Sequence, residues 1–391
     1  MKSNNQNKLS GSQPRSDWFL ILLVFVIGLN AATQVIKISL TLHPLSIEFN
    51  RSLPEISILV SLVGLISILF GLVTGNIVAT FGARRVMLIA LLIGAFTSLL
   101  EALLPQFLLM SILRLIEGFS HLALVVAAPA MLAHVANDRD RPIAMALWAT
   151  FFGMAFAIGT VIVPKLLAWG GLQLLFASHG FFLLILTVLL AWRAPYSKKM
   201  SLNLKFLSTH FTTYSTPELC TPGLGFVFYT FIYVAFLTFL PDVVSHQSWQ
   251  FWLPLLSLTA TLLAGWLARF LNVLTISLTG FSMIVAGGFA VLANFELAIW
   301  IMFIGLGLVP AAQFAMIPVL NVSEADRAIA SGAIAQMGNI GTASGTPVFA
   351  ILIVWGGPNY LLLSILIAAG TGFLTVFLLS RYLKVRNSIN Y

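Results

Sequence analysis

Two sets of polar residues stand inside otherwise apolar stretches: Asn30, Gln34 and Lys37, and Arg114, Glu117 and His121. Spacings of 4 and 3 in the first set put its members on one helical face, and spacings of 3 and 7 do the same for the second. A charge at mid-membrane costs about 2.5–3.5 kcal/mol on insertion scales, so such residues need a reason to be there. Lys37 either snorkels to the nearer surface or faces protein or a watery cavity. Arg114 and Glu117 form either a structural ion pair or a pair that exchanges protons. Burial raises a carboxyl's pKa unless a cation holds it ionised, and a neighbouring histidine titrates near neutrality. The interior count is then two cations, Lys37 and Arg114, against Glu117, a balance that predicts a pocket preferring anions.

The elements that must hold these groups are legible from hydropathy. Twelve apolar runs are read at 18–40, 55–79, 86–108, 109–133, 143–168, 172–193, 221–241, 250–268, 272–293, 297–319, 329–354 and 358–380. Each can cross a bilayer as a helix of about 20 residues. Of the 20 basic residues, 16 lie in the two tails and in alternate gaps between runs. The positive-inside rule makes that side the cytoplasm and puts both termini there. Hydrophobic residues make up 59% and charged residues 8% of the chain. The net charge of +8 follows from this topology and gives no nucleic-acid surface. One cysteine, Cys220, excludes an internal disulfide and a cysteine metal cluster. The first run carries Asn30, Gln34 and Lys37 and reads as a retained span, not a cleaved leader.

Residues 140–171 and 326–357 align without a gap at an offset of 186, sharing Asp140/Asp326, Arg141/Arg327, Gly159/Gly345, Thr160/Thr346 and Trp169-Gly170-Gly171/Trp355-Gly356-Gly357. The fifth and eleventh runs therefore occupy equivalent places in two halves, as internal repeats do in secondary transporters. The expected fold is an all-α polytopic membrane protein with 12 transmembrane helices in two pseudo-symmetric six-helix bundles. Residues 1–17 form an N-terminal tail, 18–193 the first bundle, 194–220 a polar linker, 221–380 the second bundle and 381–391 a C-terminal tail.

The gap after the second run holds Gly75, Gly82, Arg84 and Arg85, with Ala79 between the glycines. Together with Arg114 and Gly118 in the fourth run, and the two six-helix halves, this pattern resembles the major facilitator superfamily. Relatives carry an acid where Ala79 stands, and often a glutamine at the position of Glu117. The resemblance implies that Gly75, Gly82, Arg84 and Arg85 form a conformational loop motif. It implies that Arg114 takes part in proton coupling, here with Glu117 and His121. It also implies that the first, fourth, seventh and tenth spans line a cavity, to which Lys37, Asn30, Gln34, Arg114, Tyr229, Tyr233 and Gln313 contribute, with Gln336 and Asn339 from a gating eleventh span. Lys165 and His179 are read toward the outer half, where they could form an entry ring.

The functional expectation is a secondary active transporter that moves a small organic anion by alternating access, coupled to protons, with uptake favoured and a carboxylate-rich metabolite or metal chelator as the kind of substrate. The alternative is a proton-driven exporter of amphiphilic compounds, drugs or a secreted metabolite such as a siderophore. No nucleotide-binding GxxxxGK[ST] loop and no HExxH occur, and Gly341-Thr342-Ala343-Ser344-Gly345 only approaches a serine-hydrolase pattern. An enzyme is not expected, nor a cofactor or metal. Expected partners are the substrate, protons and the lipid bilayer of the inner membrane. The protein is expected to act as a monomer.

Overall fold

A computed structural model describes residues 16–137, 140, 144–145, 147–148, 150–195, 211, 213–268, 270–321 and 324–389. The elements in chain order are α1 (Trp18–Ser39), α2 (Leu42–Phe49), α3 (Leu53–Phe81), α4 (Ala83–Glu101), α5 (Phe107–Val135), α6 (Phe151–Arg193), α7 (Pro217–Thr238), α8 (Leu240–Val243), α9 (Trp249–Leu267), α10 (Val273–Leu292), α11 (Ile299–Leu320) and α12 (Glu324–Ile389). Among the described residues, ten helices are long and apolar enough to cross a membrane. Two of them, α6 and α12, fold back on themselves and each supplies two passes. The helix breaks at Gly170 and Gly171 in α6 and at Gly357 in α12.

These turns explain the repeated Trp-Gly-Gly. Gly171 has φ 65° and ψ −159°, and Gly357 has φ 67° and ψ −161°. That region of backbone space is essentially open to glycine alone. The two triplets therefore repeat because the same reversal occurs twice. Other boundaries follow local chemistry. Asp17 caps α1 by accepting from the amide of Leu20 at 3.0 Å, and Ser52 with Glu55 forms a capping box on α3. The run read as 86–108 stops short at Glu101, because Leu104 turns at φ 47° just before Pro105. The gap between the first two runs holds the short α2.

Small residues set the tightest packing. α7 lies along α12, where a Cβ at Gly341 or Gly345 would collide with the α7 backbone at Val227 or Phe231. One continuous apolar core joins the two halves and includes Leu42, Leu45, Phe156, Phe239, Leu240 and Leu253. These residues lie at the end remote from both termini, called here the far end. Toward the terminal end the cores separate: Leu20, Val24, Met87, Met131 and Leu190 belong to the first half, and Leu219, Ile317, Ala330 and Ile334 to the second. The halves are thus fused at the far end.

Candidate functional site

Four charged side chains meet inside the first half, and each is 0% exposed: Lys37 on α1, Glu101 on α4, and Arg114 and Glu117 on α5. α1, α4 and α5 bring them together, with α6 packed against α1 and α4. Lys37 Nζ lies 2.5 Å from Glu101 Oε2 and 2.8 Å from Glu117 Oε1. Arg114 binds Glu117 one turn on and reaches Glu101 Oε1 at 3.4 Å. Its remaining donors go to backbone oxygens, Nε to Leu59 at 3.1 Å and Nη2 to Gln34 at 2.5 Å. A buried charge is tolerated when it is paired and its leftover donors and acceptors are satisfied. Both conditions hold here.

Glu101 changes the charge count. Among the described residues the interior holds two cations and two carboxylates, not two against one, which leaves no surplus positive charge in this cluster to draw an anion. Lys37 does not snorkel, and Arg114 and Lys37 are sealed within the bundle. The residue sits inside the third apolar run, where an acid is as costly as Lys37 in the first. That cost was the signal that could have found it.

Three further groups complete the arrangement. Lys37 also donates to Ser98 Oγ at 3.0 Å, and its ammonium stands 5.3 Å from the centre of the Phe176 ring. Gln34 donates to Ser120 Oγ at 2.8 Å while its Oε1 stays buried without a partner. His179 touches Ser98 Oγ with Nδ1 at 2.9 Å and the carbonyl of Asn30 with Nε2 at 3.3 Å. His179 therefore belongs to the buried cluster and not to an outer ring, whereas Lys165 is exposed. His121 turns Nδ1 to the carbonyl of Ala31 at 2.8 Å and contacts none of the four charges directly. The Asn30 amide is spent on its own helix, donating to Val26 at 2.9 Å.

The second half brings together a different set. Tyr229 stacks on Tyr233 with ring centroids 5.2 Å apart, and Phe226 extends this ladder to Phe314. The Tyr233 hydroxyl bonds to Ser257 at 3.0 Å and lies against Gly153 of α6, at the seam between halves. On the other side of the seam Trp148 stacks on Phe151 at 4.5 Å. Gln313 is buried, donates to Ser277 at 2.9 Å and leaves Oε1 unpartnered. Gln336 crosses the seam, donating to the Ile68 carbonyl at 3.2 Å and accepting from Tyr214 at 2.7 Å. Asn339 bonds only within its own helix, to Ala335 at 2.9 Å. Ser61 of α3 also donates across the seam to the Ala343 carbonyl.

In the loop motif, Gly82 turns between α3 and α4 at φ 83°, Arg84 donates to the Ala191 carbonyl at 2.7 Å, and Arg85 is exposed. Gly75 lies within α3. The basic residues at 139, 141, 198, 199, 205 and 269 fall outside the described residues.

Comparison with known proteins agrees with this architecture. The family described as Major Facilitator Superfamily matches residues 20–341. A stretch of 168 residues is 25% identical to an uncharacterized MFS-type transporter, YwoD, of Bacillus subtilis strain 168. That stretch is 43% of this chain and 37% of the relative, so little more than a third of the relative's length is matched. Among solved structures, a bacterial homolog to the human lysosomal transporter Spinster, inward-facing and unoccupied, superposes with a TM-score of 0.73 at 14% identity, covering 93% of this chain and 97% of that one. Its inward-facing, occupied form gives 0.70 at 14% identity, covering 95% and 98%. At such identity the likeness is one of fold.

Proposed function

From a chain that belongs to the major facilitator superfamily, and is therefore a secondary transporter of a small molecule and not an enzyme, we infer proton coupling through the Lys37–Glu101–Arg114–Glu117 cluster. The observation that carries this reading is the cluster's sealed charge balance. Adding one proton to it leaves a buried positive charge without a counter-charge, which is expensive in a low dielectric. Any conformer that wets the cluster relieves that cost. Protonation then shifts the population toward the wetted conformer, and return requires the proton to leave. This is coupling by differential stability, and it needs no contact between proton and substrate.

The apolar core fused at the far end supports a conformer closed there, with access from the terminal end. Basic residues concentrated on the terminal side support a cytoplasmic location of both tails in the inner membrane. Glu101 and Glu117 carry the proton, while Arg114, which stays charged, and Lys37 bridge the two carboxylates as counter-charges. His121, one α5 turn beyond Glu117, takes the adjoining position toward the terminal end.

For the substrate, the compensated cluster removes the argument for an organic anion. The side chains around the seam are largely aromatic: Trp148 and Tyr233 are buried, Phe151, Phe226 and Tyr229 are half-buried and Phe314 is exposed, with amides from Gln336 and Asn339. That surface suits an amphiphilic molecule with an aromatic or apolar body and a few polar groups. Direction of transport follows from the sign of the coupled flux. Purified protein is expected to be stabilised against heat by amphiphilic compounds and not by di- and tricarboxylates. In proteoliposomes the stabilising compound should drive proton flux, read by an entrapped pH dye, and Glu117→Gln should abolish it. Stabilisation by carboxylates alone would restore the anion reading, and undiminished flux in Glu117→Gln would remove this cluster from coupling.

A further inference from the structure

We propose that His179, reached through the hydroxyl of Ser98, is a proton-holding residue attached to the buried cluster. This rests on the proton-coupling reading above and names an additional site for the proton. Hydrogen-bond bookkeeping around Ser98 leads to it. The Asn30 carbonyl can only accept, so His179 Nε2, 3.3 Å away, carries a hydrogen. Ser98 has one hydroxyl proton and two neighbours able to take it: the Phe176 carbonyl at 3.0 Å and His179 Nδ1 at 2.9 Å. Lys37 meanwhile donates to the same oxygen at 3.0 Å.

Two settings satisfy every group without moving a heavy atom. In one, Ser98 donates to Nδ1 and the imidazole is neutral. In the other, Ser98 donates to Phe176, Nδ1 carries its own hydrogen and donates to Ser98, and the imidazole is a cation. The frame therefore accepts an added proton on His179 by rotation of one hydroxyl. Transfer balances as follows. Lys37 gives a proton to Ser98 Oγ as Ser98 gives its hydroxyl proton to Nδ1, and Lys37 is refilled from a protonated carboxyl of Glu101 or Glu117. The net result is a proton moved from carboxyl to imidazole, with Lys37 and Ser98 unchanged.

The charged and titratable groups that bear on His179 are Lys37 from α1, Glu101 from α4, and Arg114, Glu117 and His121 from α5. The other charged residue on the second limb of α6, Arg193, stands at its terminal end and pairs with Asp17 at 2.8 Å. Protonating His179 beside two cations and two carboxylates adds the same uncompensated charge as protonating a carboxyl. It therefore pushes the same conformational equilibrium from the α6 side.

The experiment measures conformation and needs no substrate. Spin labels are placed through Trp192→Cys and Phe270→Cys, both exposed at the terminal end, in a Cys220→Ser background reconstituted in nanodiscs. The inter-label distance distribution is followed between about pH 5 and pH 8, the range in which histidine ordinarily titrates. The parent protein should show a pH-dependent shift. His179→Gln and Ser98→Ala should displace its midpoint by about one pH unit or more, and Ser98→Thr, which keeps the hydroxyl, should restore it. As a check that needs no substitution at 179, histidine-labelled protein should show by nitrogen NMR one buried imidazole passing from the Nε2–H tautomer to the doubly protonated form over the same range. No pH response in the parent would overturn the coupling reading and this proposal together. A parent-like response in both His179→Gln and Ser98→Ala, or a buried imidazole neutral throughout, would overturn the role of His179 and leave the four-residue cluster standing.

Discussion

The first six passes and the last six share a repeat but not a chemistry. α1 and α7 are each 22 residues long, and the twentieth residue is Lys37 in one and Phe236 in the other. Lys37 sits in a cage of ions. Phe236 packs on Phe303, ring centroids 5.3 Å apart, in a fully apolar site. Among the described residues, every buried polar side chain of the last six passes is neutral: threonines, serines, Gln313 and Asn321. What the halves hold in common is backbone, seen in the matched reversals at Gly171 and Gly357. The matched turn geometry recurs in both halves, whereas among the described residues the buried charges lie in the first half and the second carries an aromatic, amide-bearing set.

The sharpest way to break this contrast is to unbalance the ions. Arg114→Ala leaves Lys37 alone against Glu117 and Glu101, one carboxylate charge uncompensated, and frees two carbonyls, at Leu59 and Gln34. The expected loss is about 3–5 kcal/mol, the cost of leaving a buried charge uncompensated, measured by denaturant titration in detergent. Adding Glu117→Gln to Arg114→Ala should recover a large part of that loss, because partners in one network are not additive. If the double variant is as unstable as the sum of the singles, the four residues are not one unit.

A matched pair of substitutions tests the shared part. Gly171→Ala and Gly357→Ala each place a Cβ where φ is near +65°, and each should cost about 1–3 kcal/mol. The prediction is near-equality between halves, read as equal falls in thermal midpoint. A large inequality would mean that the two turns carry different loads and that the repeat is one of sequence only.

The ease of reading each feature from sequence follows its physics. Spans and repeat are legible because hydropathy and the glycine–tryptophan pattern act locally. The Arg114–Glu117 contact was visible because one helical turn separates the two. Glu101 was missed because the apolar run continues past it through Leu103, Leu104 and Phe107, hiding the break that places it at a helix end. The place of His179 in the buried cluster is not legible in sequence, because nothing local places α6 beside α4. Its partner Ser98 is 81 residues away, and Gln336 finds Ile68 across 268 residues. Such contacts depend on packing of whole helices. Tyr229 and Tyr233, by contrast, follow directly from a spacing of four on one helix.

The smallest expected effect lies at the far end, where the halves touch through charge. His43 Nε2 on α2 stands 3.7 Å from Asp242 Oδ1 on α8, and both side chains are partly exposed. They flank a cleft of about 110 Å³ lined by Ser39, Thr160, Pro164, Thr238 and Gln250. Burial pushes the Asp242 carboxyl above its ordinary value of 3.8, and the nearby His43 works against that rise. A carboxyl raised by folding binds its proton more tightly when folded. Its stabilising contribution is complete below the ordinary value and is lost as pH climbs through the raised one. Asp242→Asn should therefore remove a small decline in stability over the acidic side of neutrality, seen as a flatter plot of thermal midpoint against pH. His43→Gln should steepen that decline, since the main influence opposing burial is gone. Either change should stay within about 0.2–1 kcal/mol, the range for ion pairs open to solvent. A larger effect from His43→Gln would mean that this pair, and not the apolar core around Phe239 and Leu240, holds the far end closed.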